Sequence, residues 1–93
     1  MAAKYRKRVI VSGRVQGVGF RYFTCRLAAN YPVTGYVRNL PDEDVEIVAE
    51  GEKWAVESFI EEAVRGPGYA LILNVKSYVE NPQGNFRSFG IKY

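Results

Sequence analysis

Histidine is absent from this 93-residue chain, and cysteine, methionine and tryptophan occur once each. Each shortage removes a kind of chemistry. Without histidine there is no Ser–His or Cys–His nucleophile pair and no imidazole for a transition metal. The lone Cys25 has no partner for an internal disulfide and is not a zinc site by itself. With no histidine or metal beside it, its thiol is not expected to be a nucleophile, and a reducing, cytoplasmic setting fits it best. No apolar run approaches the roughly 20 residues of a membrane-spanning helix. The apolar stretch after the basic N-terminal residues is also too short for a signal peptide.

What is present suits a folded chain. A hydrophobic share of 47% beside 25% charge points to one globular domain over residues 1–93 rather than disorder. No linker, repeat or low-complexity segment interrupts it. The net charge of +3 is small. Lys4, Arg6, Lys7 and Arg8 are expected to form a solvated strand start that resists edge pairing. The alternative is a weak attractor for anionic substrates or nucleic acid. Asp42, Glu43 and Asp44 are the one dense group of carboxylates, and they read as a solvated turn rather than a magnesium site.

Periodicity lays out the elements. Residues 9–15 are β-branched and strand-like. A helix follows over 21–30, with Phe20, Phe23, Leu27 and Tyr31 as its apolar stripe and Pro32 closing it. Tyr22 and Cys25 fall off that stripe and take packing or surface roles. Strands are expected at 34–40 and 45–50, joined by the acidic turn. In the second of them, Val45, Ile47 and Ala49 face one way, and Glu46, Val48 and Glu50 the other. A second helix over 53–65 carries Val56, Phe59, Ile60, Ala63 and Val64 on one side, and Gly66-Pro67-Gly68 stops it. A strand within 71–79, a turn at 81–85 and a short strand within 86–93 complete the chain. Two helices, each with one apolar stripe, bury both stripes by packing on one face of an antiparallel sheet. The expected fold is an α+β, ferredoxin-like βαββαβ sandwich with a short C-terminal strand.

The densest signal is GRVQGVGFR at residues 13–21. A strand, a glycine-rich turn and a helix start, in that order, direct backbone N–H groups at one spot and add the positive end of the helix dipole. Arg21 adds a permanently charged fork that matches two phosphate oxygens. This is not a Walker A loop, because no Lys-Ser/Thr pair follows the glycines. Nor is it a dinucleotide fingerprint, since Tyr22 stands where the last glycine would be needed. The residues alone describe a phosphate loop of some other kind, or a tight turn with an incidental arginine.

GRVQGVGFR followed by TGYVRN at 34–39 resembles the acylphosphatase family. The resemblance includes VEIVAEG at 45–51 and Gly66-Pro67, and extends to residues 89–91. It implies an enzyme that hydrolyses carboxylic–phosphoric anhydrides, with no cofactor, no metal and no covalent intermediate. It assigns the phosphate clamp to Arg21 and the orientation of the attacking water to Asn39. The phosphate cradle is expected from the backbone of Val15, Gln16, Gly17, Val18, Gly19 and Phe20 together with Arg21. Arg38 should point to the opposite side of its strand and be exposed. The implied partners are a small acyl phosphate and inorganic phosphate, which is both product and competitive inhibitor. The chain is expected to be a monomer, with no nucleic acid or membrane partner. Two places depart from the family's usual pattern: Cys25 replaces a residue that is often polar, and YALILNV at 69–75 is unusually apolar. Two other readings remain open. One is a binding module of the same fold for RNA or a small anion, although the RNP1 pattern is missing. The other is a relative that handles carbamoyl phosphate.

Overall fold

A computed structural model describes residues 4–93. The first three residues of the basic N-terminal stretch, and of the expected 1–93 domain, lie outside the described residues. The chain runs β1 (Tyr5–Arg14), α1 (Phe20–Ala28), β2 (Val33–Asn39), β3 (Val45–Gly51), α2 (Lys53–Ala63), β4 (Leu71–Glu80) and β5 (Phe89–Ile91). The strands form one sheet in the order β4-β1-β3-β2-β5. Four of them pair antiparallel. The short β5 joins the edge parallel to β2, so the sheet is mixed rather than purely antiparallel. The result is the ferredoxin-like α+β sandwich.

The core lies between the helices and one sheet face. Val9, Val11, Val37, Val45 and Ile47 of the sheet meet Phe20 of α1 and Phe59 of α2, all almost fully buried. The stripe of α2 is the expected one with Ala55 added and Val64 only partly buried. That of α1 is rotated from its expected position. The residues it buries fully are Phe20, Thr24 and Ala28, while Phe23, Leu27 and Tyr31 are half-buried. The small Thr24 and Ala28 let the helix settle close to its neighbours. The Thr24 hydroxyl donates to the Phe20 carbonyl at 2.9 Å, so its burial leaves no unpaired polar group.

The outer sheet face corrects the expectation for the N-terminal charges. β1 is an interior strand, flanked by β3 and β4, and its Arg6, Lys7 and Arg8 are paired rather than solvated, while Lys4 just before it is exposed as expected. Arg6 bonds Glu50 and Glu80, each at 2.9 Å. Arg8 and Arg38 both donate to Glu46, at 2.5 and 2.6 Å. Lys7, on the helix side, reaches Glu57 of α2 at 2.6 Å. Period two placed Glu46 and Glu50 correctly opposite Val45 and Ile47, yet both carboxylates are buried, at 2% and 3% exposure. The segment 81–88 contributes to this cover. Backbone N–H groups of Gln83 and Gly84 donate to Glu50, and Phe86 packs edge-on against Tyr36.

These buried carboxylates give the fold an acid limit. Burial pushes the pKa of Glu46 up, but hydrogen bonds from Arg8, Arg38 and Tyr36 outweigh it and hold the carboxyl below its ordinary value. Glu50 is lowered in the same way, by the N–H groups of Gln83 and Gly84 and by Arg6. A carboxyl whose folded pKa is depressed stabilises the fold above its unfolded pKa. That stability is lost as pH falls through the folded value. Urea denaturation should therefore show stability declining from the ordinary carboxylate range downward. Glu46→Gln should cost about 1–3 kcal/mol at neutral pH. It should cost distinctly less in acid, once the wild-type carboxyl is itself protonated. An equal penalty at neutral and acid pH would show that the charge of Glu46 contributes nothing.

Candidate active site

Strand β1 ends in a bulge between Ser12 and Gly13, where its register against β4 shifts. Gly13 has φ 131°, and a Cβ there would lie 2.0 Å from the Leu71 carbonyl oxygen, so the close approach of β4 requires glycine. The chain then turns through residues 15–19, with Gly17 at φ 75° and Gly19 at φ 80°, both left-handed. Gly19 is the N-cap of α1. No side chain caps the helix, and its first turn holds no acidic residue. The first-turn N–H groups are thereby left available to an anion.

A side-chain contact fixes the loop in place. The Gln16 amide nitrogen donates to the Leu40 and Asp44 carbonyls at 2.9 and 2.8 Å. It ties the glycine loop to the β2–β3 turn, next to Asn39. Asn39 is the last residue of β2 and pairs with Val45 of β3. By strand alternation its side chain shares the helix-facing side with Val37, while Arg38 lies on the outer face beside Glu46. The Asn39 Oδ1 is buried and has no hydrogen-bond partner. A buried acceptor left unpaired is costly, and such atoms mark places where a water or ligand belongs.

A cavity of about 140 Å³ joins these parts. Val15, Gly17, Gly19, Phe20, Arg21 and Asn39 all line it, together with Tyr22 and Ile91. No carboxylate is among the lining residues, so Arg21 and the helix terminus leave the cavity electropositive. The Arg21 guanidinium lies 5.3 Å from the centre of the Tyr93 ring and has no acidic partner among the described residues. Gln16 and Val18, expected in the cradle, do not line this cavity. The Gln16 side chain turns toward the 40 and 44 carbonyls, and Val18 borders a neighbouring groove. Tyr22 and Ile91 were not foreseen. Ile91 arrives through the parallel pairing of β5, which leaves no trace in local sequence pattern. Cys25 is half-buried against the core, and burial pushes its thiol pKa up, away from nucleophilic use. Among the described residues, no three or more Asp, Glu or Cys side chains gather as metal ligands. No helix among them is long and apolar enough to cross a membrane.

A sandwich whose first strand–loop–helix turn leaves helix N–H groups uncapped, with a buried unpaired amide oxygen on the same cavity, has the features that suit a phosphoryl-handling domain. The profile of the acylphosphatase family matches residues 7–91. The acylphosphatase of Caldivirga maquilingensis is 48% identical over 96 residues, covering 100% of this chain and 99% of the relative. That of Thermotoga petrophila is 45% identical over 86 residues, covering 92% and 94%. The crystal structure of acylphosphatase from Bacillus subtilis matches with a TM-score of 0.90 at 37% identity, over 96% of this chain and 99% of that one. The chain belongs to the acylphosphatase family, hydrolases whose substrates are small acyl phosphates.

Proposed function

We propose that this protein, acting as one domain over residues 1–93, hydrolyses acyl phosphates by direct in-line attack of water on phosphorus. The loop N–H groups from Val15 to Phe20 and the Arg21 guanidinium hold the phosphate and absorb charge on its equatorial oxygens. Asn39 accepts a hydrogen bond from the attacking water through Oδ1. The amide does not ionise, so it orients water without repelling the anionic substrate. The water oxygen bonds to phosphorus as the bond from phosphorus to the acyl oxygen breaks. The acyl group departs as carboxylate, and the water's proton passes to a phosphate oxygen. A carboxylic acid has a pKa near 4, so the leaving oxygen needs no proton at neutral pH, and a chain without histidine suffices. The observation that carries this reading is the buried, unpaired Asn39 Oδ1 on the cavity that Arg21 also lines.

Inorganic phosphate fits the same cradle and should act as a competitive inhibitor. The reading includes a monomer that needs no metal and, on the strength of the free thiol of Cys25, a cytoplasmic setting. An RNA-binding reading has less support. Arg6, Arg8 and Arg38 on the outer sheet face are engaged by carboxylates, and Phe86 packs against the ring of Tyr36.

Substrate choice provides the test. Benzoyl phosphate should be hydrolysed rapidly and alkyl phosphate monoesters hardly at all, because neither a histidine nor a carboxyl group lines the cavity to protonate an alkoxide. A chelator should leave the rate unchanged. Comparable rates on both substrate types, or a chelator-sensitive rate restored by magnesium, would count against this mechanism.

A further inference from the structure

A second concavity adjoins the phosphate cavity. This groove, about 600 Å³, lies between α1 and the 67–69 segment, and Gly19 and Tyr22 line both spaces. Its walls include Phe23 and Leu27, the two α1 side chains that the core takes up only partly. Two exposed aromatic rings border it: Tyr22 at 64% exposure and Tyr69 at 82%. Such rings, with no side chain of the core covering them, form the kind of surface that takes a flat apolar body.

The groove also holds a cation. Arg26 lines it one helical turn beyond Tyr22, with its guanidinium 5.7 Å from the centre of the Tyr22 ring. It is exposed and has no acidic partner among the described residues, unlike Arg6, Arg8, Arg38 and Arg65. Arg21 and Arg26 are five residues apart, about 7.5 Å along the helix axis and about 140° around it, with Tyr22 between them in angle. A body that joins a phosphate at Arg21 to an anion at Arg26 must pass round the helix over Tyr22, which calls for a ring-sized spacer rather than a two-carbon acyl group.

We propose that this groove is the acyl-group subsite. It selects acyl phosphates whose acyl portion has an apolar, ring-sized body ending in a second anionic group, which Arg26 receives. The assignment rests on the phosphate occupying the Arg21 cavity. From there the acyl carbon leads across Gly19 and Tyr22, the residues the two spaces share, toward Arg26.

The test compares kcat/KM for acetyl phosphate, benzoyl phosphate and 4-carboxybenzoyl phosphate on the full chain. The wild type should prefer them in increasing order. Arg26→Gln should reduce the ratio of 4-carboxybenzoyl to benzoyl phosphate about tenfold, the size expected for one lost charge-assisted hydrogen bond. Tyr22→Ala should reduce the ratio of benzoyl to acetyl phosphate about fivefold through lost ring contact. Lys76→Gln removes one exposed positive charge on β4, outside the groove, and should leave both ratios unchanged. If benzoyl phosphate is hydrolysed but the 4-carboxybenzoyl ratio ignores Arg26, or falls equally in Lys76→Gln, the subsite assignment is wrong while the hydrolase reading stands. If none of the three acyl phosphates is hydrolysed, both fail.

Discussion

Arg21→Ala should lose at least about a hundredfold in kcat/KM on benzoyl phosphate while keeping wild-type stability. That is the usual scale for removing one preorganised charge donor from a phosphoryl or oxyanion site. Stability should hold because Arg21 is only half-buried and makes no ion pair; its one described contact is with the exposed ring of Tyr93. Arg21→Lys separates charge from geometry. A lysine restores the unit charge but offers a compact ammonium instead of a planar fork, so it should recover little of the loss. Steady-state kinetics beside a urea denaturation curve are sufficient to check this. Near-normal turnover in Arg21→Lys would mean that a point charge is enough and that the two-oxygen clamp is wrong.

Asn39→Ala should have a comparable effect on turnover and a different effect on binding. A group that orients the attacking water matters in the transition state and adds little to ground-state affinity. The expected result is a fall of about a hundredfold in kcat, on the scale of a lost transition-state donor or acceptor. The inhibition constant of inorganic phosphate should change by only about threefold, because the proposed mechanism gives the holding of phosphate to the loop and Arg21. Folding should not suffer. Oδ1 is buried without a partner, so its removal relieves an unpaired acceptor rather than breaking a bond. Parallel losses of turnover and phosphate affinity would instead make Asn39 a direct ligand of the phosphate. Asn39→Asp adds a further distinction. A carboxylate still accepts from water but repels an anionic substrate, so KM should rise along with the fall in kcat.

The order of elements was legible in the sequence because it depends on local physics. Period-two alternation marked β3, the three- and four-residue spacing of Val56, Phe59, Ile60 and Ala63 marked α2, and glycines and prolines marked the breaks. The glycine turn before α1 was legible for the same reason. Gly13, Gly17 and Gly19 lie within seven residues of one another, and Arg21 follows in the first helical turn. Asn39 was singled out through its motif rather than its local chemistry, since an asparagine before Leu40-Pro41 reads equally well as a turn former.

Other features depended on pairings between distant segments. The outer face is one case. Alternation placed Glu46 and Glu50 opposite Val45 and Ile47 but said nothing of what would cover them. Burial came from arginines on β1 and β2 and from the 81–88 segment folding over, contacts that span up to 44 residues of sequence. The stripe of α1 is another. Phe23 and Leu27 have the spacing of core residues, but the close seat of the helix gave the core to Thr24 and Ala28 and left the larger side chains to line a groove. By itself, the sequence determined which elements form and where the glycine loop turns, because propensity, alternation and left-handed glycines act over a few residues. Tertiary structure alone decided that Gln16 ties the loop to the β2–β3 turn, that Asn39 meets Arg21 across one small cavity, and that Ile91 lines it. Those outcomes follow from strand register and from which backbone carbonyls lie within hydrogen-bonding reach, and neither is encoded in any local run of residues.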